Sequence, residues 1–354
     1  MPKLRNWLAS SNNYEGEIGL EIETESKATY GVLPSIGNYW GVHQDGSLRQ
    51  NGLEYVFLQP YTPGGQAYKA AMEAFAEQAK VTKFLKSSYT SVHVHLNMLD
   101  RQLTSIMNFI TLYYLFEEVL TEYCGAARNG NLFCLKTSNA EAHYKAVCEL
   151  AKAIENGSGI AAIKRLNNDH LKYAGLNIVP LRTFGSLEVR THPGTVDVDL
   201  INRWVEILRM IYKKADTFAN PVEIINRLDG YRSKEAFAEL IFEEYSKFLN
   251  LKDMNDKMKN GVWYACAVAK SVDNWKSFGD KKTIEKSKRT FDLTTYYAEA
   301  PELQPVTNVG IGGAAVGTTT WTTATRNDWE IIERVATERR ARTVRPVTQI
   351  IEDF

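Results

Sequence analysis

Aliphatic and polar residues alternate in three short segments of the chain: EIGLEIE at 17–23, SVHVHLN at 91–97 and SLEVRTH at 186–192. A period of two is that of a β-strand, so Ile18, Leu20, Ile22, Val92, Val94, Leu96, Leu187 and Val189 are predicted to share a buried face. Glu21, Glu23, His93, His95, Glu188 and Arg190 then face the other way. Further strand signals lie at 38–43 and 52–59, separated by Gly and Pro turns short enough for antiparallel pairing. The period becomes helical over 65–86, where Ala70, Met72, Phe75, Ala76, Ala79 and Val81 fall on one side. A second helix, over 104–123, is apolar almost all round and is predicted to be deeply buried. A Gly- and Asn-rich loop at 125–137 leads to an amphipathic helix at 140–154, a hairpin made of 173–180 and 186–192, and a helix at 198–218. Further helices fill 222–275, with a break near Asp229-Gly230.

This order predicts an α+β fold: a mostly antiparallel, curved sheet with helices packed on its aliphatic face and its polar face open. The organisation expected is a catalytic domain over 1–220, a helical extension over 221–300, and a Pro/Gly/Thr-rich arm with a basic helix over 301–354. In that last helix Arg339, Arg340, Arg342 and Arg345 form a charged face. Gly310-Ile311-Gly312-Gly313 lies in the arm without a strand-helix frame and reads as linker rather than as a phosphate loop.

Charge changes the picture by exclusion. Lys plus Arg and Asp plus Glu balance at 42 each, so no global field draws nucleic acid or a membrane, and function falls to local sites. Cys124, Cys134, Cys148 and Cys266 have no CxxC spacing and follow no apolar leader, which predicts reduced cysteines in a cytoplasmic protein. No stretch has the ~18 apolar residues of a membrane span.

The polar face carries the candidate chemistry. Glu21 and Glu23 lie two apart on one strand, at roughly 7 Å, a spacing that suits flanking two cations. Hard oxygen donors select Mg²⁺ or Mn²⁺, and Mg²⁺ commonly joins carboxylates to substrate phosphates. Solvated glutamates on an exposed strand are the competing reading. His93 and His95 form an HxH pair that suits zinc or a metal-nucleotide site, or two imidazoles satisfied by backbone; His43, His143, His170 and His192 complete no familiar zinc signature. Glu54 interrupts an otherwise apolar strand and needs a partner, whereas Asp45 sits in an ordinary Asp-Gly turn. Glu188 and Arg190 are either a simple ion pair or, beside metals, a ligand and a fixed cation for a phosphoryl group.

The ordered set GLEIETE, WGVHQDGSL, GLEYVFLQP, SVHVHLN and KYAGLNIVPLRTFGSLEVRTHPGTVD resembles the amidoligase family, within the superfamily of glutamine synthetase and glutamate-cysteine ligase, over about 16–204. The resemblance implies an ATP-dependent ligase that passes a phosphoryl group to a carboxylate and lets an amine attack the acyl phosphate. It implies that Glu21, Glu23, Glu54, His93 and Glu188 hold the divalent cations, that Arg190 faces the transferred group, and that Asp45 helps the metals or positions the amine. His95 and Asn97 would lie toward the nucleotide; Lys172, Tyr173 and Asn177 would contact phosphates or substrate; Arg128 and Asn131 would bind a carboxylate. Lys172 stands where the family pattern has Arg, losing the bidentate fork. Partners would be small-molecule or peptide carboxylates and amines, with the C-terminal region available for a homo-oligomer. A kinase of the same superfamily, a structural protein without turnover and a zinc hydrolase built on His93 and His95 are the remaining alternatives.

Overall fold

In a computed structural model the protein is described over residues 3–275, except 7, 9–13, 28–32, 50, 86 and 167–168, together with two short strands, Val306–Val309 and Ala315–Thr319. The Gly310–Gly313 run and the basic helix with Arg339, Arg340, Arg342 and Arg345 fall outside the described residues.

The alternating segments form the centre of a seven-stranded sheet. Its strands are β1 (Ile18–Ser26), β2 (Trp40–Gln44), β3 (Leu53–Phe57), β4 (Phe84–Leu85), β5 (Ser91–Asn97), β6 (Leu176–Asn177) and β7 (Ser186–Pro193). They run in the order β2-β3-β1-β5-β7-β6, every pair antiparallel, with β4 joined to the end of β1. The fold is therefore α+β, as the sequence predicts. Ile18, Leu20, Ile22, Val92, Val94, Leu96, Leu187 and Val189 are all buried on the inner face.

Against that face lie α1 (Gln66–Val81), α2 (Leu103–Cys124) and α6 (Val198–Lys214). Trp40 Nε1 donates to Ala71 O (2.7 Å), tying α1 to β2, and Tyr212 Oη donates to Asn97 O (2.7 Å), tying α6 to the end of β5. Asp197 caps α6 by accepting from the Asp199 and Leu200 amides. Between α2 and α6 the chain forms α3 (Glu141–Glu155), α4 (Gly159–Lys164) and α5 (Pro180–Thr183). After α6 come α7 (Pro221–Gly230), α8 (Lys234–Phe242), α9 (Met254–Lys257) and α10 (Lys259–Lys270).

Helix α2 is the axis of the core: 19 of its 22 residues are buried. The sheet covers one side and α7 and α10 the other. At Gly261 of α10 the two backbones touch, since a Cβ there would stand 2.2 Å from Tyr114 O. Asn108 Nδ2 donates to Ala215 O (2.9 Å) and Phe218 O (2.7 Å), satisfying the turn after α6 from inside the core.

Three expectations are corrected. Helix α1 stops at Val81, because Thr82 is extended (φ −94°, ψ 127°) and Phe84–Leu85 pairs with β1 as β4. In the predicted hairpin only Leu176–Asn177 pairs with β7, since Pro180 at once starts α5. Within the expected linker, Val306–Val309 and Ala315–Thr319 pair antiparallel as β8 and β9. All four cysteines are free thiols. No described helix is long and apolar enough to cross a membrane.

Candidate functional site

On the outer face, neighbouring strands place the polar residues in rows. His43, Glu54 and Glu23 pair across β2, β3 and β1; Glu21 pairs with His93; and Gly19, His95, Glu188 and Asn177 pair across β1, β5, β7 and β6. The strand registers thereby gather side chains from six strands into one patch.

His93 is the centre of it. Its Nδ1 lies 3.1 Å from Glu21 Oε2 and 3.4 Å from Glu188 Oε1; its Nε2 lies 2.7 Å from Ser91 Oγ. In two overlapping trios the candidate ligand atoms lie within 4.8 Å of one another: Glu21, His93 and Glu188, and Glu23, Glu54 and His93. A neutral imidazole has one lone pair, so His93 serves one trio at a time. With Nδ1 as the ligand atom, the Nε2–H donates to Ser91 Oγ, and that hydroxyl donates to Glu23 Oε2 (2.6 Å), a complete chain of donors and acceptors. This favours the trio with Glu21 and Glu188. Ser91 also donates its backbone N–H to Glu23 (2.9 Å). Groups that orient a ligand typically contribute 10–100-fold in metal affinity, so Ser91→Ala is expected to weaken Mg²⁺ or Mn²⁺ binding by about that factor, read by calorimetric titration.

The donor chemistry fits a hard divalent cation: four carboxylates and one imidazole, with Arg190 the guanidinium beside them. The excess of negative charge is visible in Glu54. Burial, then Glu21, Asp45 and Glu23, push its carboxyl up to about 8. Burial works the same way on Glu21, but His95 and His93 outweigh it and hold that carboxyl well below its ordinary value. Glu188 is likewise lowered, Arg190 and the two imidazoles overcoming burial. His95, 3.0 Å from Glu21 Oε1, is raised to about 9 because that carboxylate and Glu188 override its burial.

These shifts set a pH dependence for the metal-free protein. Between about pH 6.5 and 8 the folded chain keeps protons on Glu54 and His95 that the unfolded chain releases, so stability falls as pH rises. Below 6.5 the trend is opposed by His143 and His192, which burial lowers to about 4. Thermal melts from pH 6.5 to 8 should fall in wild type and flatten in Glu54→Gln; equal slopes would refute the assignment.

The structure brings Glu21, Glu23, Glu54, His93, His95, Glu188 and Arg190 together as the sequence predicts. Other expected residues have different partners. Asn97 is occupied by backbone, donating to Gly16 O (2.7 Å) and Tyr14 O (3.3 Å) and accepting from Leu99 N (3.1 Å), which turns it from a nucleotide contact into a brace for the segment before β1. Buried Arg128 donates to Thr191 O and Arg190 O (both 2.7 Å), clamping β7 rather than facing a carboxylate. Asn131 accepts from Phe133 N (2.9 Å) within its own loop. Asn177 donates to Glu188 Oε2 (2.6 Å) and so holds a candidate ligand. Lys172 lies over the Tyr173 ring, 5.4 Å from its centroid. Asp45 accepts from Ser47 N (2.8 Å) and stands outside both trios.

His192 is turned inward. The β5–β7 register shifts between Val92 and Val94, where β7 carries one extra residue, and the bulge moves His192 to the inner face opposite Val92. There it packs 5.5 Å from the Trp204 ring and bonds Pro193 O (2.8 Å). His143 is buried against Tyr114. Neither trio contains a second imidazole, which disfavours zinc. Ser91 and Ser186, the latter 3.1 Å from His95 Nδ1, are site residues that the sequence reading missed. The signal was there in each case, a serine two positions from a charged residue on the same strand face.

No curated protein matches the chain. A family model described as “Putative amidoligase enzyme” matches residues 11–212, a stretch that contains every member of both trios. With more than half of its 354 residues matched, the chain belongs to the amidoligase family.

Proposed function

We propose that the protein is an ATP-dependent carboxylate-amine ligase that forms an amide through an acyl phosphate. The observation that supports this best is the gathering of four carboxylates, His93 and Arg190 on the outer face of the sheet in a chain of this family. The open antiparallel sheet is in keeping with the glutamine synthetase and glutamate-cysteine ligase superfamily, and free thiols are in keeping with a reducing, cytoplasmic setting.

In this reading Glu21, Glu188 and His93, with Glu23 and Glu54, hold Mg²⁺ or Mn²⁺. When bound, the cations would neutralise phosphate charge that otherwise repels an anionic acceptor. The chain's own groups do the rest. Arg190, fixed by its ion pair with Glu188, offers a permanent cation for the transferring γ-phosphoryl group. Asn177 and Ser91 keep Glu188 and Glu23 aimed at the face. The substrate carboxylate oxygen bonds phosphorus as ADP leaves; the amine nitrogen then bonds the acyl carbon, phosphate leaves, and the surplus amine proton passes to a carboxylate. Asp45, half-buried in the turn beyond Glu54, is the proposed acceptor. No enzyme nucleophile is needed.

The test is Mg²⁺-dependent release of ADP and phosphate across a panel of carboxylates and amines. Release that requires one of each supports the ligase. Release with one acceptor and a stable phosphorylated product would assign a kinase instead, and absence of both turnover and Mg²⁺-ATP binding would overturn the reading.

A further inference from the structure

Beside the two trios the polar face continues into a hollow of about 150 Å³. Its floor is Gly19, on the same face of β1 as Glu21 and Glu23. A Cβ at Gly19 would stand 3.1 Å from His95 Cβ, so a larger residue there would crowd the wall that His95 shares with it. Leu58 and Phe184, two large apolar side chains that are 56% and 55% exposed, both line this one hollow. Phe184 meets the His95 ring edge to face at 6.3 Å.

We infer that this hollow receives a compact apolar or single-ring side chain of the molecule that reacts at the cluster, and that Gly19, Leu58 and Phe184 select for it. Three observations carry this. An apolar cavity of about 150 Å³ is the size that holds a benzene ring. Of the wall's polar groups, Asn97 is already committed to backbone and Glu21 and His95 to each other, so a polar occupant would gain little from them. Glu21 and His95 line the hollow and also border the trios, so its occupant lies next to the reacting group. A nucleotide base is separated from the γ-phosphoryl by ribose and two phosphates and would lie farther off. The inference takes the identity of the reacting molecule from the ligase reading, while the preference for an apolar group can be measured without it.

The experiment is calorimetric titration of the full chain, with Mg²⁺ and without nucleotide, using 3-phenylpropanoate against propanoate and phenethylamine against ethylamine. At least one phenyl compound should bind about tenfold or more tighter than its short counterpart, the scale of a filled apolar pocket, and which one does so tells whether the acid or the amine supplies the side chain. Most of that preference should vanish in Gly19→Val, which fills the floor, and in Phe184→Ala, an exposed change that leaves the core untouched. Equal binding of phenyl and short compounds, a preference unchanged in Phe184→Ala and Leu58→Ala, or displacement of the phenyl compound by ATP would each overturn the inference. Failure of the ligase reading would show separately, as a retained phenyl preference without ADP release.

Discussion

Glu188→Gln is expected to cut turnover by at least about 10³-fold, the upper end of what losing one charge-stabilising group costs, while the chain still folds. The carboxylate is 4% exposed and fully used: one oxygen pairs with Arg190 Nη1 and lies 3.4 Å from His93 Nδ1, and the other accepts from Asn177 Nδ2 at 2.6 Å. Glutamine keeps the volume but replaces one acceptor with a donor, which then faces either the Asn177 amide or the guanidinium. That mismatch costs about 1–3 kcal/mol, enough to lower the melting temperature by a few degrees without unfolding the protein. ADP release and a thermal melt on the same sample check both parts. Turnover within tenfold of wild type would show that Glu188 is not among the cation ligands.

Arg190→Met should cost more in stability than in any simple surface pair. Removing the guanidinium strands Glu188, and breaking a buried pair from one side typically costs about 3–5 kcal/mol. Turnover should fall as well, for want of the fixed cation. The distinctive expectation is rescue: a cation that binds only the folded chain adds about 2.7 kcal/mol at a hundred times its Kd, and the more negative variant site should gain more from Mg²⁺ than wild type does. Denaturant melts with and without Mg²⁺ measure this. If the variant melts with wild type in the absence of metal, or gains no more from Mg²⁺, Arg190 is not the counter-charge of this cluster.

The site was legible wherever strand period alone decided orientation. Glu21, Glu23, His93, His95, Glu188 and Arg190 each sit at an alternate position, and side-chain direction follows from the pleat. What the period could not convey was where it breaks. The extra residue in β7 reverses the direction of His192, and nothing in the string RTHP marks a bulge, because it arises from pairing with β5, a partner almost a hundred residues away. The partners of Asn97 and Arg128 were hidden for another reason. Both have a polar side chain in the expected neighbourhood, but backbone carbonyls contributed by distant segments claim them, and such carbonyls have no sequence signature. The helices were legible as apolar stripes, while the end of α1 was decided by the free edge of β1 that Phe84–Leu85 completes.

The backbone contact between α10 and α2 bears on how such a chain can change over time. The family-matched stretch ends at 212, before α7 and α10, yet those helices cover the side of α2 that the sheet does not reach. A recombination joint at that point would deliver a sheet with its acidic face intact and a 22-residue apolar rod open to water, and any replacement tail would need a glycine or its equivalent against Tyr114. The family-matched part is therefore not a portable module: its inheritance is tied to the helices that follow it.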